Sequence, residues 1–244
     1  MDARLASLAA RYDLSPTATT KLRLLLEQLL ADPHAPTSIR DPLQAIDRHL
    51  ADSLAALELE PVRAARLALD LGSGAGLPGM PLAAARPEAE FVLLESAARK
   101  CAFLHRAAQA AGIGNVEIVH GRAETFHFGF GRFDLVTARA VASLDVTAEY
   151  AAPLLQAGGA LVVWTGRRSS DGEAAARYAA EQLGLGGLEA RRVEPFPEAR
   201  NRHLYLMSKV AETPSRFPRR PGRALKRPLG THRTAVRWSD RGRR

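Results

Sequence analysis

The 244-residue chain has a single cysteine, Cys101. One thiol excludes an intramolecular disulfide and cannot alone make a thiolate metal site, so no metal is expected. No run approaches 18 uncharged apolar residues, which leaves no candidate for a membrane-spanning helix. Met1 to Leu14 lacks the basic and apolar regions of a signal peptide, making the cytoplasm the expected compartment. No internal repeat is visible. With 46% hydrophobic and 25% charged residues, the composition is that of an ordinary globular protein rather than a disordered one.

The charge is unevenly placed. The net charge is +8, yet the stretch from Ala211 to Arg244 holds eleven Lys/Arg against two Asp/Glu, leaving the preceding residues near neutral. A near-neutral body with a basic tail points to a polyanionic partner, the alternative being a solvated, disordered terminus with no partner. Candidate nucleic-acid contacts are Arg216, Arg219, Arg220, Arg223, Lys226 and Arg227.

Three segments are expected: a helical cap over 1–60, an α/β core over 61–210 and a basic, Pro/Arg-rich, irregular tail over 211–244. In TKLRLLLEQLL, the residues Leu22, Leu25, Leu26, Leu29 and Leu30 recur at helical spacing. Asp41-Pro42 reads as an N-cap with Pro at the first helical position. Leu43, Ile46, Leu50, Leu54 and Leu57 would line that helix's buried side. Short apolar strands are expected near 67–71, 90–95, 115–119, 133–138, 158–165, 187–195 and 202–209. Helices near 79–86, 97–111, 144–155 and 171–184 lie between the earlier ones. Such alternation predicts a mostly parallel seven-stranded sheet in a Rossmann-like α/β fold. Only PEARN separates the last two strands, too short for a crossover, so they should form an antiparallel hairpin. That ending is typical of Rossmann-like methyltransferases.

LALDLGSGAGLPG, 67–79, places Gly72, Gly74 and Gly76 just past a strand ending at Asp70. Glycines there let backbone approach a ligand closely. Gly74, Gly76 and Gly79 also satisfy G-x-G-x-x-G, so a nicotinamide-dependent oxidoreductase competes. Gly74 comes late after the strand, however, and Pro78 removes an N–H where a pyrophosphate would sit. Asp70 suits the cationic sulfonium of S-adenosylmethionine better. Glu95 ends the second strand, where a carboxylate can accept both ribose hydroxyls of an adenosine, in either cofactor; a helix-capping or surface glutamate is the structural alternative. HGRAE, 120–124, follows the third strand, where Glu124 or nearby backbone can bind the adenine amino group.

FDLVTARAVASL, 133–144, supplies the loop for the methyl acceptor. It has no N/D-P-P-Y/F motif, which argues against transfer to an exocyclic adenine amine. It also has no cysteine to attack a pyrimidine ring before C5 methylation. Cys101 sits elsewhere and reads as a small buried hydrophobe. What remains is an acceptor with a ready lone pair, a ring nitrogen or a hydroxyl. Arg139, at the strand end, can contact the cofactor or orient the target, or serve as a structural ion pair.

These segments resemble the glucose-inhibited division protein B family, the bacterial 16S ribosomal RNA guanine-N7 methyltransferases. The resemblance rests on RHLADSL (48–54), LDLGSGAGLPGMPLA (69–83), LLESAARKCAFL (93–104), NVEIVHGRAE (115–124) and FDLVTARAVASL (133–144). PLLQAGGALVVWTG (153–166) and FPRRPG…KRPL (217–229) extend it. It implies methyl transfer from S-adenosylmethionine to N7 of a guanine in 16S rRNA or the small ribosomal subunit. The protein is expected to act as a monomer. Carried over by position, family cofactor contacts fall on Gly72, Leu77, Ala123, Glu124 and Arg139, with Arg139 beside the methyl group and Glu95 as the ribose acid. The chain departs from the family at LADPHAPTSI (30–39), where relatives carry W-N-x-x-x-N-L-T, and 231–244 runs past the usual family end. A methyltransferase for another RNA or a small molecule shares the whole cofactor half. A non-catalytic RNA-binding module would have no use for Glu95 beside an intact glycine loop.

Overall fold

The computed structural model describes residues 2–230. The helix α1 (Asp2–Arg11) is followed by α2 (Pro16–Ala31), whose first turn is capped by Ser15 accepting from the Ala18 N–H at 3.1 Å. Leu22, Leu25, Leu26 and Leu29 of α2 are fully buried, as their spacing predicts. Asp41 caps the next helix through the Gln44 N–H at 2.8 Å. That run is not one helix. It passes from α3 (Pro42–Ala45) through a π-helical turn (Ile46–Ala51), α4 (Asp52–Leu54) and a 3-10 turn (Ala55–Glu58) to α5 (Glu60–Ala64). Ile46, Leu50 and Leu54 are buried and Leu57 half-buried, but Leu43 is 51% exposed. Its helical spacing misleads because residues 40–44 all lie at the surface, beyond the packed layer.

The seven strands are β1 (Leu67–Leu71), β2 (Glu90–Glu95), β3 (Val116–His120), β4 (Phe133–Arg139), β5 (Leu155–Thr165), β6 (Leu185–Arg192) and β7 (His203–Lys209). They form one sheet in the order β3-β2-β1-β4-β5-β7-β6, parallel from β3 through β5. The β6–β7 pair is antiparallel, and its later strand joins the body: β7 lies between β5 and β6. Between the strands come α6 (Gly79–Ala85), α7 (Ala98–Ala110), α8 (Leu144–Ala151) and α9 (Ser170–Leu183). Side chains alternate across the strands, so Ala68 and Leu93 join the core beneath α1–α7, while Leu69, Leu71 and Leu94 join the core beneath α8 and α9. The first core also contains Leu22, Leu50 and Leu54, which binds the N-terminal helices to the sheet in one apolar layer. Order reverses at β1 and β4, and a crevice opens outside their carboxyl ends.

From Ala211 to Gly230 the chain is mostly turns, with one short helix among these described residues, α10 (Arg223–Lys226). Irregular here does not mean detached. Phe217 and Ala224 are buried in the second core, and three tail residues, Arg219, Gly222 and Gly230, donate to buried carboxylates of the body. This corrects the alternative of a disordered terminus as far as Gly230. The extension 231–244 lies outside the described residues.

Candidate active site

The strand β1 delivers the chain into a loop of positive-φ glycines: Gly72, Gly74 and Gly76 have φ of +67°, +56° and +82°. Only residues without a Cβ take this backbone at low cost. A Cβ on Gly72 would stand 3.0 Å from Val141 Cγ2, inside the space between the loops after β1 and β4. The loop is tied down from below, where the Gly72 and Ser73 N–H groups donate to the Leu94 carbonyl at 2.8 and 3.2 Å.

Asp70 faces inward. Its carboxylate is completely buried and accepts from the Thr137 hydroxyl at 2.8 Å and the Gly79 N–H at 3.2 Å. Burial pushes its pKa up to about 6, against the hydrogen bonds that favour the anion. Asp70 therefore braces the loop from behind instead of touching a sulfonium directly. The same bond answers the dinucleotide alternative. The first N–H of α6, where a pyrophosphate would sit, is already held by Asp70.

Glu95, at the end of β2, is 4% exposed. One carboxylate oxygen accepts from the Gly74 N–H at 3.0 Å and the other from the Ala97 N–H at 2.8 Å, with Lys100 Nζ 3.9 Å away. Loop and acid are thus one hydrogen-bonded unit. Next to it lies a cleft of about 150 Å³ lined by Gly72, Leu94, Ala123, Glu124, Val141 and Tyr150. Ala123 and Glu124 enter it on the 3-10 turn Ala123–Thr125 that follows β3. The Glu124 carboxylate accepts from the Gly222 N–H of the tail at 3.1 Å, which leaves the turn's backbone as the edge for a base. Burial and neighbouring Glu124 push the Tyr150 hydroxyl up to about 12, so it stays a donor. Leu77 packs its side chain into the first core and is not among the residues lining this cleft. Cys101 is buried on α7 and donates to the Glu95 carbonyl at 3.4 Å; burial and Glu95 raise its pKa, as for an inert thiol. Glycine-lined space, a buried carboxylate at the end of β2 and a polar turn after β3 fit an adenosyl group. A larger cavity of about 660 Å³, lined by Pro153, Gln156 and Lys209 among others, lies away from these strand ends and shares none of these residues.

After β4 the chain turns sharply at Ala140, a non-glycine residue at φ +57°. That turn sends Val141 to the cleft and Arg139 to the helical layer. Arg139 Nη1 lies 3.2 Å from Asp52 Oδ2 and 3.3 Å from the Arg48 carbonyl. Burial lowers its pKa, opposed by Asp52 and Asp70. Asp52 is 4% exposed and also meets Arg202 Nε at 3.5 Å, while its carbonyl accepts from Trp164 Nε1 at 2.7 Å. His49, on the π-helical turn, is pushed down to about 4 by burial and by the Arg139 charge, and is therefore neutral. Its Nε2 lies 2.8 Å from the hydroxyl of Thr37, within the segment that departs from the family pattern. No sequence signal linked Arg202 or Trp164 to Asp52, since only the sheet brings them together.

Among the tail cations, Arg216, Arg220, Arg223, Lys226 and Arg227 are exposed. Arg219 is the exception. Its guanidinium makes a bidentate pair with Glu149, at 2.8 and 2.5 Å, and serves as an internal anchor rather than the expected phosphate contact.

Sheet order, glycine loop and acid at β2 define a Rossmann-like, S-adenosylmethionine-dependent methyltransferase. A solved neighbour, a predicted O-methyltransferase from Agrobacterium tumefaciens, is 27% identical with a TM-score of 0.54, covering 66% of this chain and 81% of its own. The family model described as rRNA small subunit methyltransferase G matches residues 22–204. Relatives named ribosomal RNA small subunit methyltransferase G are 41% identical in Rubrobacter xylanophilus (78% of this chain, 75% of the relative) and 40% in Chloroflexus aggregans (79% and 82%). One from Limosilactobacillus fermentum is 34% identical over 93% of this chain and 91% of its own length. The chain belongs to the rRNA small subunit methyltransferase G family.

Proposed function

We propose that this protein, acting as a cytoplasmic monomer, methylates N7 of a guanine in 16S rRNA of the small ribosomal subunit. The observation that carries the reading is the junction of two sites at the ends of β1, β2 and β4. A glycine-and-carboxylate cleft for an adenosyl group lies on one side of the Ala140 turn, and an arginine–aspartate cluster lies on the other.

When bound, S-adenosylmethionine supplies an electrophilic methyl group on a positively charged sulfur. Gly72, Gly74, Gly76 and Leu77 offer it backbone, Glu95 the ribose acceptor, and Ala123 and Glu124 the adenine edge. Guanine N7 is an in-plane lone pair without a proton, so this chain needs no general base; neutral His49 is not asked to act as one. Arg139, held by Asp52, would orient the base for attack on the methyl group. The methylated base is cationic, and Asp52, shared between two guanidiniums, is the anion that offsets positive charge there. Orientation of this kind can supply about 7–11 kcal/mol of a barrier. Exposed Arg216, Arg220, Arg223, Lys226 and Arg227 are the proposed phosphate contacts. The N7 edge lies in the deep groove of an A-form helix, so the target sits in a loop or is splayed from a stack.

Mass mapping of 16S rRNA from cells with and without the protein tests the assignment. One guanine should lose a methyl group that resists N2- and O6-specific assignment. An unchanged methylation map would refute it.

A further inference from the structure

We infer that the C-terminal strap, residues 217–230, is a wall of the cofactor cleft and that Leu225 contacts the adenosyl group directly. The inference rests on the reading that this cleft takes that group. Leu225 lines the same cleft as Gly72, Leu94, Ala123 and Tyr150, although it is 131 positions beyond Leu94 in the chain. It is 57% exposed, an apolar side chain left facing the cleft rather than packed into the core.

The strap's position is not incidental. Three buried carboxylates hold it. Glu149 takes the Arg219 guanidinium, Glu124 takes the Gly222 N–H at 3.1 Å, and Asp145 takes the Gly230 N–H at 3.1 Å. Gly222 reaches Glu124 with φ of +75°, a backbone that a side chain would strain. Phe217 and Ala224 bury apolar surface on either side of that bond. A base in the cleft would therefore rest on the body through Leu94 and Ala123 and on the strap through Leu225. Glu124 belongs to both contacts, so adenosyl binding and strap docking stabilise each other, and the linkage is reciprocal.

Calorimetry of S-adenosylhomocysteine with the full chain tests this. Leu225→Ala should raise Kd roughly tenfold, the factor expected for losing about half a leucine's burial. Leu225→Glu should raise it further by placing a second carboxylate beside Glu124. Leu43→Ala, at an exposed leucine that does not line the cleft, should leave Kd unchanged. Hydrogen exchange should show the ligand slowing amides of 222–226 in the wild type. Wild-type affinity in both Leu225 variants, or no ligand effect on those amides, would overturn the inference while leaving the cofactor assignment standing. Failure of the wild type to bind would overturn both.

Discussion

Replacing Arg219 by alanine separates an anchor from a phosphate contact. Glu149 is 1% exposed, and its carboxylate accepts from Arg219 Nε at 2.8 Å, Nη2 at 2.5 Å and the Arg219 backbone N–H at 3.2 Å. Removing the guanidinium leaves a buried anion with one neutral donor, a loss of about 3–5 kcal/mol if nothing moves. The strap offers a cheaper response. Its docking rests on the burial of Phe217, worth about 2–3 kcal/mol, and on the hydrogen bonds to Glu149, Glu124 and Asp145. Release of the strap therefore caps the penalty by letting water reach Glu149. Arg219→Ala should consequently lower the global melting midpoint by only a few degrees. Amide exchange over 217–230 should meanwhile rise by about a hundredfold, as for roughly 3 kcal/mol. Trypsin should cut after Arg223 and Lys226, and Arg219→Lys should fall between, keeping charge without the fork. If Arg219→Ala weakened RNA binding but left the strap protected, the partner of Arg219 would be phosphate and the reasoning would fail.

A Cβ on Gly79 would lie 2.5 Å from Leu93 Cδ2 and 2.8 Å from Asp70 Cβ, so Gly79→Ala should cost about 1–3 kcal/mol in thermal unfolding. Glu173 accepts from Arg168 and from the Tyr205 hydroxyl, which hold its pKa down at about 2. The stability from that depression is present above the ordinary carboxylate range and is lost as pH falls from about 4.5 towards 2. Glu173→Gln should flatten the acid limb of a stability-versus-pH curve in that window. Each of Arg220→Ala, Lys226→Ala and Arg227→Ala should reduce the slope of log affinity against log salt for 16S rRNA by about one; an unchanged slope in the triple variant would remove the tail from the RNA interface.

Strand and helix alternation, the antiparallel ending and the loop at Gly72–Gly76 were all legible in one dimension. Each is written by local spacing: apolar runs too short for helices, PEARN too short for a crossover, and glycines where the backbone must take positive φ. The place of Glu95 was legible for the same reason, since the end of a strand next to a glycine loop is a position in sequence. Leu43 was misread because periodicity gives the face of a helix but not where the packed layer stops. Asp70 was read correctly as a special acid and wrongly as facing the ligand, because only the packing of α6 against β1 turns its carboxylate toward Gly79.

Sequence alone thus determined the layers, the order of elements and the side of the sheet where chemistry sits, since those follow from periods of 2 and 3.6 residues and from turn chemistry. Tertiary structure decided which charges meet. Asp52 between Arg139 and Arg202, Glu149 on Arg219 and Leu225 in the cleft join residues at least 70 positions apart. A basic tail looks uniform as a string of arginines. Whether one of them finds phosphate or a buried glutamate depends on where the fold has placed a carboxylate with no other partner, and burial makes that pairing obligatory.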